Sequence, residues 1–298
     1  MPNPLQFWKI VKEINPATIR EESELPFRVA AIGTGEQMEL LRRLAGLEPL
    51  LERQKAGQAW YEAGLPLTDT AWTWLPRCRF ALSLSDIPDA PVSVWRLEPQ
   101  NPEVYTLQIR SILNRHKDLA LALPRAVPMF RREASERVIQ ATAVTNTKIA
   151  VASALPGVLP AIAFLLPVTS VPDMALLTKN QMMMCLRLAA VYGLDIDLTA
   201  RMRELGPVVG AAFGWRALAR EIVGVVPGGF GAVAKGGIAY AATVATGRAA
   251  RALFETGQRP TDAQRRAWDH EALEKGRVVA TDAFRRARNR DEPKPAPA

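Results

Sequence analysis

The residues nearest to a chemical motif are Gly33, Thr34 and Gly35. They follow the short apolar run FRVAAI (27–32) and precede the helix pattern EQMELLRRLAG (36–46). A strand, a glycine turn and a helix in that order is the setting of a phosphate-binding loop. That loop needs G-x-x-x-x-G-K-[ST]: glycines so that backbone N–H groups face the phosphates, a lysine to neutralise charge, and a hydroxyl for Mg²⁺. Gly33 supplies the first glycine. Counting on, the second glycine position is Met38, the lysine position Glu39 and the hydroxyl position Leu40. Glu39 places negative charge where a phosphate would sit. No DxxG follows a later strand, since Asp86-Ile-Pro-Asp89 lacks the glycine, and Lys117-Asp118 is only a fragment of a base-reading NKxD. Gly33, Thr34 and Gly35 are thus a vestigial phosphate-loop position. No cofactor is expected, with GTP kept as the alternative.

Other constellations fail as well. The histidines, His116 and His270, lie in charged surroundings and read as surface residues. Serines occur without a nucleophile-elbow motif. Cys78 and Cys185 are far apart and form no CxxC, so they read as small buried apolar residues; neither a disulfide framework nor a metal site is expected. No catalytic residue is assigned; the reading leans towards a non-enzyme, and a nucleotide-binding enzyme that uses an atypical loop stays open.

The elements that would position such a site form two textures. Strand candidates at 27–32, 78–84, 91–97 and 118–124 alternate with helical stretches at 36–46, 48–63 and 102–115. Alternation of this kind predicts a small, mostly parallel α/β domain. After Pro128 the strands stop, and an all-α apolar helical module follows. The expected division is an N-terminal amphipathic helix (1–25), the α/β domain (26–128), the helical module (129–256), and a basic C-terminal helix with a disordered tail (257–298). In the first segment, Leu5, Trp8, Ile10, Val11 and Ile14 share LQFWKIVKEI (5–14) with two lysines and a glutamate. That segment is not a signal peptide, which suggests a chain on the cytoplasmic side.

The helical module opens with an Arg- and Glu-rich helix at 129–148 and then IAVASALPGVLPAIAFLLPV (149–168), which carries no charge. A helix of this length would cover the roughly 30 Å apolar layer of a bilayer. Pro156, Pro160, Pro167 and Gly157 favour a bent or re-entrant hairpin instead. Asp173 caps the next helix, which ends at Gly193; a short polar helix is expected near 197–205. Gly206, Gly210 and Gly214 recur every fourth residue, as do Gly237, Ala241, Ala245 and Ala249, a spacing that lets helix backbones approach closely. VVPGGFG (225–231) is read as the turn between them. Arg216, Arg220 and Lys235 would each cost about 2.5–3.5 kcal/mol at a bilayer centre, so 206–250 reads as a packing surface, not a span. The final helix is expected from Thr261, with Gln264 completing a capping box.

The formal net charge is +8. Such a balance fits an anionic surface, and the C-terminal Arg/Lys residues place it near lipid head groups. Aromatic interleaving and nucleic-acid motifs are absent, so nucleic acid is not the expected partner. Three readings stay open: an interfacial hairpin at 149–168, a helical pair whose charged face lines a protein or water interior, and a soluble bundle.

The run LLTKNQMMMCLRLAAVYG (176–193), followed by GWRALAREIVGVVPGGFGAVAKGGIAYAATVATGRAARALFE (214–255), resembles the helical domain of unknown function found with Era-like GTPases. The residues that carry the resemblance are Tyr192-Gly193, Pro227-Gly228, and the helix with Thr243, Gly247, Arg248 and Phe254. The resemblance implies a bacterial, inner-membrane-associated protein with a degenerate P-loop GTPase-like N-terminal domain, and it implies no substrate. The function expected is a membrane-associated, non-hydrolysing GTPase-like scaffold whose helical module anchors it, or oligomerises through small-residue helix faces. A soluble helical interaction protein and an atypical nucleotide-binding protein are the alternatives.

Overall fold

The computed structural model describes residues 14–154, 173–197 and 230–291. They divide into two compact units: Ala17–Ser135 with Ala189–Ile196, and the described residues of Met1–Pro16, Glu136–Leu188 and Asp197–Ala298.

The first unit is α/β. Its strands are β1 (Val29–Gly33), β2 (Trp60–Gly64), β3 (Ala81–Ser83) and β4 (Val94–Arg96). They form one sheet of order β2-β1-β3-β4, parallel throughout. Every residue of β1 is buried, which is why its sequence is an unbroken apolar run and not an alternation. The helices of this unit are α1 (Ala17–Ser23), α2 (Gly35–Ala45), α3 (Leu50–Ala56), α4 (Asp69–Trp74), α5 (Pro102–Arg115) and α6 (Ala122–Ala126). On one face of the sheet the small side chains of Ala30, Ala63 and Ala81 let Ala71, Leu75 and Cys78 pack close, with Ile32. The α5 helix starts where Asn101 accepts from the Val104 N–H at 3.2 Å, with Pro102 in the first turn.

Two sequence expectations need correction. The run 118–124, expected as a strand, is a 3-10 turn (Lys117–Leu119) followed by α6. Leu121, Ala122 and Leu123 are buried in succession, so α6 packs nearly all round. A short apolar run of this kind does not distinguish a strand from a buried helix. The stretch 48–63, expected as one helix, stops at Ala56. Gly57 at φ +48° breaks it, and Trp60–Gly64 then pairs with β1 in register Val29↔Trp60 to Gly33↔Gly64. The signal was Gly57 followed by two aromatics, residues that suit a pleated surface.

The second unit is helical. It holds α7 (Arg131–Ala152) beyond Ser135, most of α8 (Asp173–Val191), α9 (Phe230–Thr256) and α10 (Asp262–Asp291). Ile139, Ala143, Met184, Leu188, Tyr240, Val244 and Ala272 form its core. Glycines set the approach distances. A Cβ on Gly276 would come within 2.7 Å of the Gly237 carbonyl, and one on Gly247 within 2.6 Å of Ile139. Gly237, from the small-residue stripe, thus meets α10 inside the chain; Ala241 and Ala249 are buried beside it. The expected capping box at Thr261 is present, with Gln264 N–H donating to Thr261 Oγ1 at 3.3 Å and Thr261 N–H to Gln264 Oε1 at 2.9 Å.

No helix among the described residues is long and apolar enough to cross a membrane. The apolar segment 149–168 is described only to residue 154. The N-terminal helix expected over 5–14, the helix near 197–205, the glycine series 206–214, most of the turn 225–231 and the C-terminal tail lie outside the described residues.

His116 stacks on Phe80 with ring centroids 4.7 Å apart, and Phe80 meets Phe130 edge-on at 6.5 Å. Burial holds the imidazole below its usual range, helped by Arg79 and Arg115 and opposed by Asp118. The folded protein therefore takes up this proton at lower pH than the unfolded chain. The stabilisation is fully present above the ordinary histidine pKa of about 6.5 and is lost as pH falls through the lowered folded value. Unfolding midpoints measured through that window should drop in the parent protein, and a His116→Phe variant should lack this component of the drop.

Candidate functional site

In an open parallel sheet, ligands bind beyond the carboxyl ends of the strands, where the strand order reverses. Here that point lies between β1 and β3, and it brings together Gly33-Thr34-Gly35 and Ser83-Leu84-Ser85-Asp86.

The β1 side is closed by its own backbone. The strand ends at Gly33 and α2 begins at Gly35, so Thr34 alone lies between them. Thr34 is the N-cap: its N–H donates to Gln37 Oε1 at 3.0 Å, and its Oγ1 accepts from the Gln37 N–H at 3.5 Å. The Met38 N–H already donates to the Thr34 carbonyl at 2.8 Å. A Cβ on Gly33 would meet Gln37 Cβ at 2.8 Å, so the glycine is needed for the Gln37 side chain to fold back. The positions a phosphate loop would occupy, 35–40, are helical, and Met38 is buried in the core. The N–H groups of Thr34, Gln37 and Met38 are held by these capping bonds.

On the β3 side, Ser83 is fully buried and its Oγ accepts from the Ser85 N–H at 3.2 Å. An open cavity of about 320 Å³ lies nearby, lined by Ser85, Asp86, Ile87, Pro88, Val94 and Arg96. Its charges are paired with each other, Arg96 Nη1 donating to Asp86 Oδ2 at 2.9 Å. This crevice offers hydroxyls without a general base. His116 stacks on Phe80, before the first residue of β3 and so at the other end of the strand, and His270 lies exposed in the helical unit. Among the described residues no group of His, Cys, Asp and Glu could hold a metal ion. Both cysteines are buried and free, and burial raises both thiols, Cys185 to about 12. A thiolate nucleophile is therefore not available at neutral pH.

The helical unit buries a connected group of polar side chains in its interior, a feature the sequence reading missed. Thr243 is the hub. Its Oγ1 accepts from Asn146 Nδ2 at 3.0 Å and from Gln181 Nε2 at 3.3 Å, and donates to the Ala239 carbonyl at 2.7 Å. Asn180 Nδ2 donates to Asn146 Oδ1 at 2.8 Å. One hydroxyl thus uses its proton and both lone pairs to join α7, α8 and α9. A turn further on, Arg248 makes a bidentate pair with Glu271 at 2.8 and 3.0 Å, and Arg251 Nη1 donates to Glu136 at 3.2 Å. The Tyr240 hydroxyl donates to Gln140 Oε1. Its pKa is pushed up to about 12, by burial first and by Glu136 next.

The residues of the family resemblance fall on these structural positions. Thr243 is the hub, Gly247 the close approach to Ile139, Arg248 the ion-pair centre, and Phe254 a half-buried flank of the core. In the α/β unit, Tyr192 lies under the Arg131 guanidinium at 5.9 Å, and Gly193, at φ +68°, closes α8. Pro227-Gly228 lies outside the described residues. Each described motif residue has a packing role that accounts for its type.

Comparison with family models, with curated proteins and with solved structures finds no match to this chain.

Replacing Thr243 by Val keeps the shape and takes the Thr243 Oγ1 acceptor from the Asn146 and Gln181 amides. The expected cost is about 1–3 kcal/mol in total for the buried donors that lose it. Urea unfolding should show that loss for Thr243→Val and little for Thr243→Ser; equal stability of the two variants would contradict the hub role.

Proposed function

We propose that this chain is a non-hydrolysing, GTPase-like scaffold that works at an anionic membrane surface, on the cytoplasmic face of a bacterial inner membrane. Its α/β unit serves as an interaction platform, and its helical module holds the platform at the lipid surface. The parallel sheet ahead of a helical module supports the GTPase-like part of this reading. The closed turn at Thr34, with Glu39 in place of the phosphate-binding lysine, supports the absence of hydrolysis.

The observation that carries the membrane part is the charge distribution on α10. From residue 275 onward the helix carries Lys275, Arg277, Arg285, Arg286, Arg288 and Arg290 against Asp282 as the one acidic residue before Asp291. Lys275, Arg277, Arg285, Arg286 and Arg288 are exposed. Arg286 reaches Asp282 at 2.9 Å, but both are largely solvated, so the pair screens little of the field. The opposite side of the helix, through Ala272, Gly276 and Ala280, is buried. The result is a rigid rod with cations on its outer side, the arrangement that gathers anionic head groups. In this proposal the uncharged segment 149–168 adds a second, hydrophobic point of contact.

Each basic residue near an anionic leaflet contributes about 1 kcal/mol. Changing Arg285, Arg286 and Arg288 together to Gln should therefore weaken binding to phosphatidylserine-containing vesicles by about two orders of magnitude, with no loss on neutral vesicles. Sedimentation with sucrose-loaded vesicles measures this. Unchanged binding to anionic vesicles, or no binding by the parent protein, would remove the lipid reading.

A further inference from the structure

The two edges of the sheet are finished differently. At the β4 edge, Gln108 of α5 reaches over: its Nε2 donates to the Arg96 carbonyl at 2.8 Å and its Oε1 accepts from the Glu98 N–H at 3.0 Å. Among the described residues the β2 edge has no such cover. In a parallel ladder alternate residues face the same neighbour. The Leu65 N–H donates to the Gly33 carbonyl at 3.0 Å, so Tyr61 and Ala63 also turn their backbone groups to β1. The N–H and C=O groups of Trp60, Glu62 and Gly64 then face away from the sheet. None of the three is bonded through its backbone on that outer side by any described residue.

Proteins blunt exposed edges with unpaired charges, prolines, bulges or covering elements. The sequence Trp60-Tyr61-Glu62-Ala63-Gly64 has no proline, and its one charge is neutralised. Glu62 accepts from Arg42 Nε at 2.7 Å, from Arg42 Nη2, and from Trp60 Nε1 at 3.0 Å. Gly64 leaves a gap: a Cβ there would meet nothing within 4 Å.

We propose that this edge is a self-association surface, where a second copy of the chain adds its own β2 antiparallel about a two-fold axis at Glu62. The register is fixed by complementarity. With Glu62 opposite Glu62 of the second copy, Trp60 stands opposite Gly64, and Gly64 opposite Trp60. The outward N–H and C=O groups of all three residues find partners on each copy. The indole fills the space that Gly64 leaves open, the way aromatic residues rescue glycines across a strand pair. Two glutamates directly opposite would repel, but each arrives paired to its own Arg42, and Arg53 adds positive field on the same carboxylate. The contact is isologous, so it closes at a dimer and leaves no free β2 edge to propagate. This edge belongs to the α/β unit and the basic face of α10 to the helical unit, and the inference stands whether or not the chain binds lipid.

Sedimentation velocity of the full-length protein over a concentration series tests it. The parent should sediment at twice the chain mass. Gly64→Lys fits the open site without strain and places a charge in the contact, and the dimer should be lost. Glu62→Pro removes an outward N–H that the β1 ladder does not use, a place where an edge strand tolerates proline, and it too should give monomers. Circular dichroism of Gly64→Lys should match the parent, which keeps the test valid if the proline variant misfolds. A parent that stays monomeric throughout, or a dimer that survives Gly64→Lys, overturns the proposal.

Discussion

The α/β unit depends on how its first strand gives way to the helix that follows it, α2. One residue, Thr34, connects them, and its hydrogen bonds with Gln37 supply the N-terminal cap that α2 needs, worth about 1 kcal/mol. Because that cap holds the Thr34, Gln37 and Met38 N–H groups, the region where a parallel sheet ordinarily receives a phosphate becomes an ordinary helix start. Met38, the position a nucleotide-binding loop would give to glycine, enters the core. Stability at this junction and phosphate binding would compete for these three donors.

The helical unit follows a different logic. Its apolar composition suggests a lipid-facing module, but the interior is organised by polar contacts: the Thr243 hub, the Arg248–Glu271 pair, and glycines that bring α9 against α7 and α10. Inside a low-dielectric bundle each satisfied amide fixes register, since slipping one helix past another would leave buried donors unpaired. The positions by which the sequence resembles a helical domain of unknown function are the ones these contacts use. Packing within this chain therefore accounts for the residue type at each of these positions.

Much of this was legible in the residues. The parallel sheet, β1 as a buried strand, α2 with its Gly46 stop, α5 over 102–115, and the capping box at Thr261 all follow from period, capping and glycine placement. The misses have physical causes. Leu119, Leu121 and Leu123 alternate like a strand, but Ala122 between them is buried as well, and only tertiary burial shows that. The second strand was hidden in a helical pattern that Gly57 interrupts. The absence of a phosphate loop could be read from Glu39; the closed cap that replaces it could not, because the fold-back of Gln37 over Gly33 is a contact and not a spacing. The Thr243 network was out of reach for the same reason: Asn146, Gln181 and Thr243 are far apart in sequence and meet only through packing. Pairing of Asp86 with Arg96, which neutralises the cavity beside β4, depends on loop geometry that no motif encodes.

With the Thr34, Gln37 and Met38 N–H groups held by the cap and Glu39 at the lysine position, the turn lacks the donor set of a phosphate loop. Calorimetric titration of the full-length protein with Mg-GTP, and separately with Mg-ATP, asks this directly. The account predicts only heats of dilution with both. A saturable isotherm with either nucleotide would mean that the turn at Thr34 opens to form a phosphate cradle, and would contradict the account.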